Sequence, residues 1–138
     1  MAREVFLDTA YAIALASRSD PFHSKALEIA KQLKVNSTKL ITTRAVLLEI
    51  GNALSGQRFR AGAIKLLVAL ENDPSVGIVP LTEPLYTQAF TLYKERPDKE
   101  WGLIDCLSFV VMLERKIGEA LTTDTHFQQA GYKALLRE

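Results

Sequence analysis

Glu4-Val5-Phe6-Leu7-Asp8 is the stretch on which the fold turns: the short, unbroken apolar run Val5-Phe6-Leu7 closed by a carboxylate. Alternating polarity would mark a strand with one wet face, whereas a continuous apolar run suits a strand covered on both faces, as in a parallel sheet. Runs of the same kind recur at residues 39–42, 76–81, 120–124 and 132–136. Helical segments separate them. Asp20-Pro21 reads as an N-cap followed by proline at the first helical position, with Phe22, Ala26, Ile29 and Leu33 forming one apolar stripe. Further helices are expected over residues 44–55 (with Gly56 as the stop), 61–72, 82–95 (Thr82 as cap, Pro84 in the first turn) and 103–116. The last is apolar nearly all round, so it is expected to be deeply packed, with Gly118 ending it. Strands alternating with helices imply right-handed crossovers and an α/β fold: a three-layer α/β/α sandwich around a mainly parallel sheet of about five strands.

With 138 residues the chain holds one domain with a sizeable core, and residues 1–138 are read as that single domain. Hydrophobic residues make up 48%, enough to fill a core, and no apolar run approaches the ~20 residues of a membrane-spanning helix. Met1-Ala2-Arg3-Glu4 enters the first strand at once, leaving no room for a signal peptide. The single cysteine, Cys106, excludes an internal disulfide framework and fits a reducing cytoplasm; it is read as a small core residue. The net charge of +1 hides a partition. Setting Asp8, Glu49, Asp105 and Asp124 aside from the 16 acidic residues leaves 12 against 17 basic ones. That surplus permits a polyanionic partner without demanding one.

Those four acids carry the chemistry. Asp8 and Asp124 close strand-like runs, and ligands of open α/β sheets bind at the carboxyl ends of the strands. Glu49 and Asp105 sit in apolar helical stretches, Val46-Leu47-Leu48-Glu49-Ile50 and Leu103-Ile104-Asp105-Cys106-Leu107, from which both can reach the same crevice. A buried carboxylate costs several kcal/mol unless paired, and clustered like charges cost more. A divalent cation is the simplest compensation, and oxygen donors point to Mg²⁺ or Mn²⁺. Singly, each acid has an ordinary alternative: Asp8 and Asp124 can cap turns, and Glu49 can snorkel from a helix edge. Asp105 is harder to explain away, because at helical spacing it shares a face with Phe109 and Met112.

Thr9 and Thr123 flank the proposed ligands and can hydrogen-bond a carboxylate or a coordinated water. His126 is expected to be a surface loop residue, and His23 has no partner in sequence. Trp101 is expected to pack on the central helix, and Arg44, Arg58 and Arg60 to be solvated. Walker and dinucleotide glycine loops, a G-x-S-x-G elbow and Cys/His zinc pairs are all missing from the sequence.

Taken in order, these residues resemble a PIN domain, most closely the single-domain ribonucleases that act as VapC-type toxins of prokaryotic toxin–antitoxin pairs. The similarity spans nearly the whole chain. It rests on Val5-Phe6-Leu7-Asp8-Thr9, Leu47-Leu48-Glu49-Ile50-Gly51-Asn52-Ala53-Leu54, Asp105-Cys106-Leu107-Ser108-Phe109 and Leu121-Thr122-Thr123-Asp124-Thr125-His126-Phe127. The resemblance implies that Asp8, Glu49, Asp105 and Asp124 form the family's acidic quartet, with Asp8 and Asp105 the firmest metal ligands. It implies a Mg²⁺- or Mn²⁺-dependent endoribonuclease with an RNA substrate, a cognate antitoxin, and a homodimer. Ile64, Leu67, Val68 and Leu70 are the apolar surplus expected to serve that dimer. Gly102 and Ile104 stand where the family commonly has a small hydroxylated residue. The readings left beside it are a stand-alone PIN domain in RNA processing and a non-catalytic metal-binding interaction module. A phosphoacceptor receiver domain needs adjacent acids after its first strand and a late lysine; Asp8 is followed by Thr9-Ala10-Tyr11, and Thr122-Thr123-Asp124 offers no lysine.

Overall fold

Five parallel strands lie between helices in the order β3-β2-β1-β4-β5, in a computed structural model that describes residues 3–138. In chain order the elements are β1 (Glu4–Leu7), α1 (Thr9–Ala16), α2 (His23–Val35), β2 (Lys39–Thr43), α3 (Arg44–Ala53), α4 (Gln57–Asn72) and β3 (Val76–Val79). Then follow α5 (Glu83–Glu95), α6 (Leu103–Arg115), β4 (Glu119–Leu121), α7 (Thr125–Gln129) and β5 (Lys133–Ala134). Met1 and Ala2, where the expected direct entry into the first strand begins, lie outside the described residues.

The opening run takes the centre of the sheet. Val5 pairs with Leu40 on one side and Phe6 with Ala120 on the other, and Val5, Phe6 and Leu7 are all buried. A strand flanked and covered in this way has no use for a polar face, which is why its sequence does not alternate. All parallel strands point their carboxyl ends the same way, so Asp8 leaves β1 at the edge where 122–124 leaves β4.

Two short helices differ from expectation. Thr9–Ala16 was not anticipated as a helix: TAYAIALA has no charged residue, hence no polar face from which a helical period can be read. It packs between α2 and α3, with Tyr11, Ala12 and Ala14 buried. The segment after Asp124 forms α7 instead of a loop, with the Asp124 carboxylate accepting from the His126 backbone N–H at 2.9 Å.

Several boundaries move for local reasons. Asp20 does not cap a helix directly; its carboxylate accepts from Phe22 N at 2.8 Å in a turn, and α2 starts at His23. Gly56 is the N-cap of α4, not the stop of α3, so α4 begins four residues before its expected start at Ala61. Thr82 caps α5 as expected, its hydroxyl accepting from Leu85 N at 3.3 Å. Lys116, not Gly118, ends α6: it adopts φ 57°, Lys116 N donates to Leu113 O and Ile117 N to Met112 O. That pair of bonds is the Schellman arrangement. Leu113 is 74% exposed, so α6 is not packed all round. Trp101 does pack on α6, edge-on to Phe109 at 5.0 Å. On α4, Ile64 and Val68 are exposed and Leu67 partly so, whereas Leu70 is buried and belongs to the core instead of the expected surplus. Among the described residues no helix is long and apolar enough to cross a membrane.

Candidate metal centre

Asp8, Glu49, Asp105 and Asp124 all line one cleft of about 470 Å³, beside Thr9, Ile13, Leu103, Ile104 and His126. Each arrives from a different element. Asp8 is the residue between β1 and α1 and is 6% exposed. The Thr122 hydroxyl donates to Asp8 Oδ2 at 2.7 Å and accepts from the Asp124 backbone N–H at 3.0 Å. One fully buried threonine thereby ties the ends of β1 and β4 together. Glu49 lies in the second turn of α3 and accepts a hydrogen bond from the Thr9 hydroxyl. Asp105 is in the first turn of α6, where the Gly102 backbone N–H donates to its Oδ2 at 3.1 Å. A main-chain donor therefore reaches Asp105 from the stretch that lacks a hydroxyl side chain.

His126 is not the surface residue expected from sequence. Its Nδ1 lies 2.9 Å from Asp105 Oδ2 and 3.5 Å from Asp124 Oδ1, and the three donor atoms lie within 4.8 Å of one another. The signal was the cap. Once Asp124 starts a helix, residue 126 falls in its first turn beside the capping carboxylate. Among the described residues Thr123 makes no side-chain hydrogen bond, and its carbonyl accepts from Arg137 Nε. An extended chain sends neighbouring side chains to opposite faces, so Thr122 and Thr123 cannot both look at Asp8.

Among the described residues no lysine or arginine lines the cleft. Arg44 pairs with Glu71, Arg58 lies over the Phe59 ring, and Arg60 donates to the Ser55 carbonyl. His23 Nδ1 is 2.7 Å from the Ala14 carbonyl, away from the cleft. Burial pushes the Asp8 carboxyl up to about 6, with Asp105 and Glu49 adding to the rise and the Thr122 hydroxyl and Thr9 N–H opposing it. Burial alone would lower the His126 pKa, but the hydrogen bond to Asp105 and the charges of Asp124, Asp105 and Glu100 raise it on balance. The Cys106 thiol, buried beside Asp105, rises to about 11 and stays protonated at neutral pH. A buried carboxylate without a cationic side chain, in a cleft rich in oxygen donors, fits a hard divalent cation.

The Thr122 contact is directly testable. Thr122→Val preserves shape, leaves Asp8 short of a donor and frees the Asp124 N–H. Urea titration is expected to show a loss of about 1–3 kcal/mol, the usual result of stranding buried polar groups. A loss below about 0.5 kcal/mol would mean the hydroxyl does not hold Asp8.

The sequence profile described as the PIN domain matches residues 5–132. The 23S rRNA-specific endonuclease VapC20 of Mycobacterium tuberculosis, matched in two strains, is 26% identical over 128 residues, covering 93% of this chain and 95% of the relative. The crystal structure of M. tuberculosis VapC20, described as a sarcin–ricin-loop-cleaving toxin, superposes with a TM-score of 0.82 at 25% identity, over 94% of this chain and 97% of that one.

Proposed function

The chain belongs to the PIN domain family, and from that membership we propose that it is a divalent-cation-dependent endoribonuclease, the toxin of a toxin–antitoxin pair. The observation that carries the reading is the convergence of Asp8, Glu49, Asp105 and Asp124 on one cleft that, among the described residues, no lysine or arginine lines. The likeness to VapC20 supports RNA as the substrate and a cognate antitoxin as the partner.

Bound in this cleft, Mg²⁺ or Mn²⁺ would lower the pKa of water and neutralise charge gathering on the phosphorane. Asp8 and Asp105 are the principal ligands in this proposal, with Glu49 and Asp124 completing the set. The remaining residues hold these carboxylates still: Thr122 grips Asp8, Gly102 N–H grips Asp105, and Thr9 grips Glu49. Ile13, Leu103 and Ile104 contribute the apolar part of the cleft wall. In this proposal no side chain of the cleft acts as a covalent nucleophile. Cys106 is buried and protonated, and the Thr9 and Thr122 hydroxyls are engaged with carboxylates. Water is then the attacking group, and the products carry 5′-phosphate and 3′-hydroxyl ends.

The test is cleavage of structured RNA by the purified chain with Mg²⁺, with Mn²⁺ and with EDTA, followed by end-group analysis. Cutting that stops on chelation and leaves 5′-phosphates is expected. Cutting that persists in EDTA, or leaves 2′,3′-cyclic ends, would falsify the reading. A homodimer is part of the same proposal, joined through the exposed Ile64 and Val68 of α4. Light scattering at tens of micromolar should give twice the chain mass, and Val68→Glu should return it to monomer.

A further inference from the structure

We propose that His126 is a cation ligand: with Asp105 and Asp124 it forms a subsite with one nitrogen donor, which makes the cleft favour Mn²⁺ over Mg²⁺. This rests on the reading that the cleft binds a divalent cation, and adds a ligand and a metal preference to it.

Without a cation, His126 Nδ1 and Asp105 Oδ2 are hydrogen-bonded at 2.9 Å; a cation entering between the three groups would take the place of that hydrogen bond, and the spacing of the donor atoms suits it. Adjacent donors around an octahedral cation with bonds of about 2.1 Å lie roughly 3 Å apart. Nδ1 of His126 stands 2.9 Å from Asp105 Oδ2 and 3.5 Å from Asp124 Oδ1. Asp105, in the first turn of α6, and Asp124, the cap of α7, bring these atoms from separate elements. The backbone at His126 is fixed by the cap, where His126 N donates to Asp124 Oδ1 at 2.9 Å, and the ring is oriented by its Nδ1 contact with Asp105. Among the described residues its Nδ1 meets only these two carboxylates.

The chemistry of the donor sets the preference. Mg²⁺ favours oxygen and retains several waters, while imidazole suits the first-row transition ions. A purely carboxylate cleft would discriminate little between Mg²⁺ and Mn²⁺ of similar charge. One imidazole in the set changes that, and among the described residues His126 is the only imidazole lining the cleft; Cys106 does not line it.

The test uses the full-length, metal-free chain with Mn²⁺ alone as the probe. Pulsed electron paramagnetic resonance should show the modulation of a directly coordinated imidazole ¹⁴N in the wild type, and His126→Ala should lack it. Titration should show Mn²⁺ affinity falling about tenfold or more in His126→Ala while Mg²⁺ affinity changes little. Bound Mn²⁺ without nitrogen modulation in the wild type overturns the assignment and leaves the cation-dependent nuclease reading standing. Absence of any Mn²⁺ binding overturns both. Should His126→Ala fail to fold, the wild-type spectrum still decides.

Discussion

Asp105→Asn is expected to reduce RNA cleavage to a hundredth of the wild-type rate or less while the chain stays folded. Asparagine keeps an oxygen that can accept from Gly102 N–H, so the first turn of α6 survives the change. What disappears is one unit of negative charge at the point where the proposed cation is held. Losing that contribution to the transition state costs ~3 kcal/mol or more, on the order of 10²-fold in rate, by analogy with other electrostatic sites. Both proteins would be assayed on one RNA at saturating Mg²⁺, with circular dichroism as the control for folding. A variant that still cuts at near the wild-type rate would remove Asp105 from the mechanism.

Asp8→Asn should act in the opposite direction on stability. The Asp8 carboxyl titrates at about 6 in the folded chain against 3.8 for an ordinary aspartate, because it is buried among other acids. Between those values the native protein retains a proton that the unfolded chain has released. Stability therefore falls as pH rises from about 4 to 6, and above that range the ionised side chain costs roughly 3 kcal/mol. Asparagine carries no such cost and can still accept from the Thr122 hydroxyl. At pH 7 without divalent ions the variant should melt several degrees higher than wild type, and below pH 4 the two should coincide. Saturating Mn²⁺ should stabilise the wild type and leave the variant nearly unmoved, reversing their order. Equal melting temperatures at pH 7 in EDTA would show that Asp8 is not held at a cost.

The acids at strand ends were legible because their context is unusual. A continuous apolar run that stops at Asp8 states both the strand and the edge at which it ends, whereas Asp124 lies three residues past the end of β4, as the cap of α7. Thr82-Glu83-Pro84 announced α5 for an equally local reason, a hydroxyl cap before proline. α1 hid because an octapeptide without a charged residue offers little contrast, and α7 because five residues are too few to display a period. Missing α7 also hid His126, whose placement depends on the helix that Asp124 begins. Thr122 and Thr123 are chemically alike, and only the strand's alternation separates the one that grips Asp8 from its neighbour.

The centre of the sheet also dictates when the cleft can exist. Strand β1 forms one of its two pairings with β2, some 35 residues further on, but the other with β4, Phe6 opposite Ala120. On the ribosome the segments of β1, β2 and β3 emerge long before residue 120 does. Until then Asp8 has neither Thr122 nor Asp124 beside it, and α6 has no α7 to bring His126 against Asp105. Chains interrupted before about residue 124 thus carry Asp8, Glu49 and Asp105 without a finished centre. Closing so long a loop is among the slower steps of folding, so the cleft forms late, when almost the whole chain has been made.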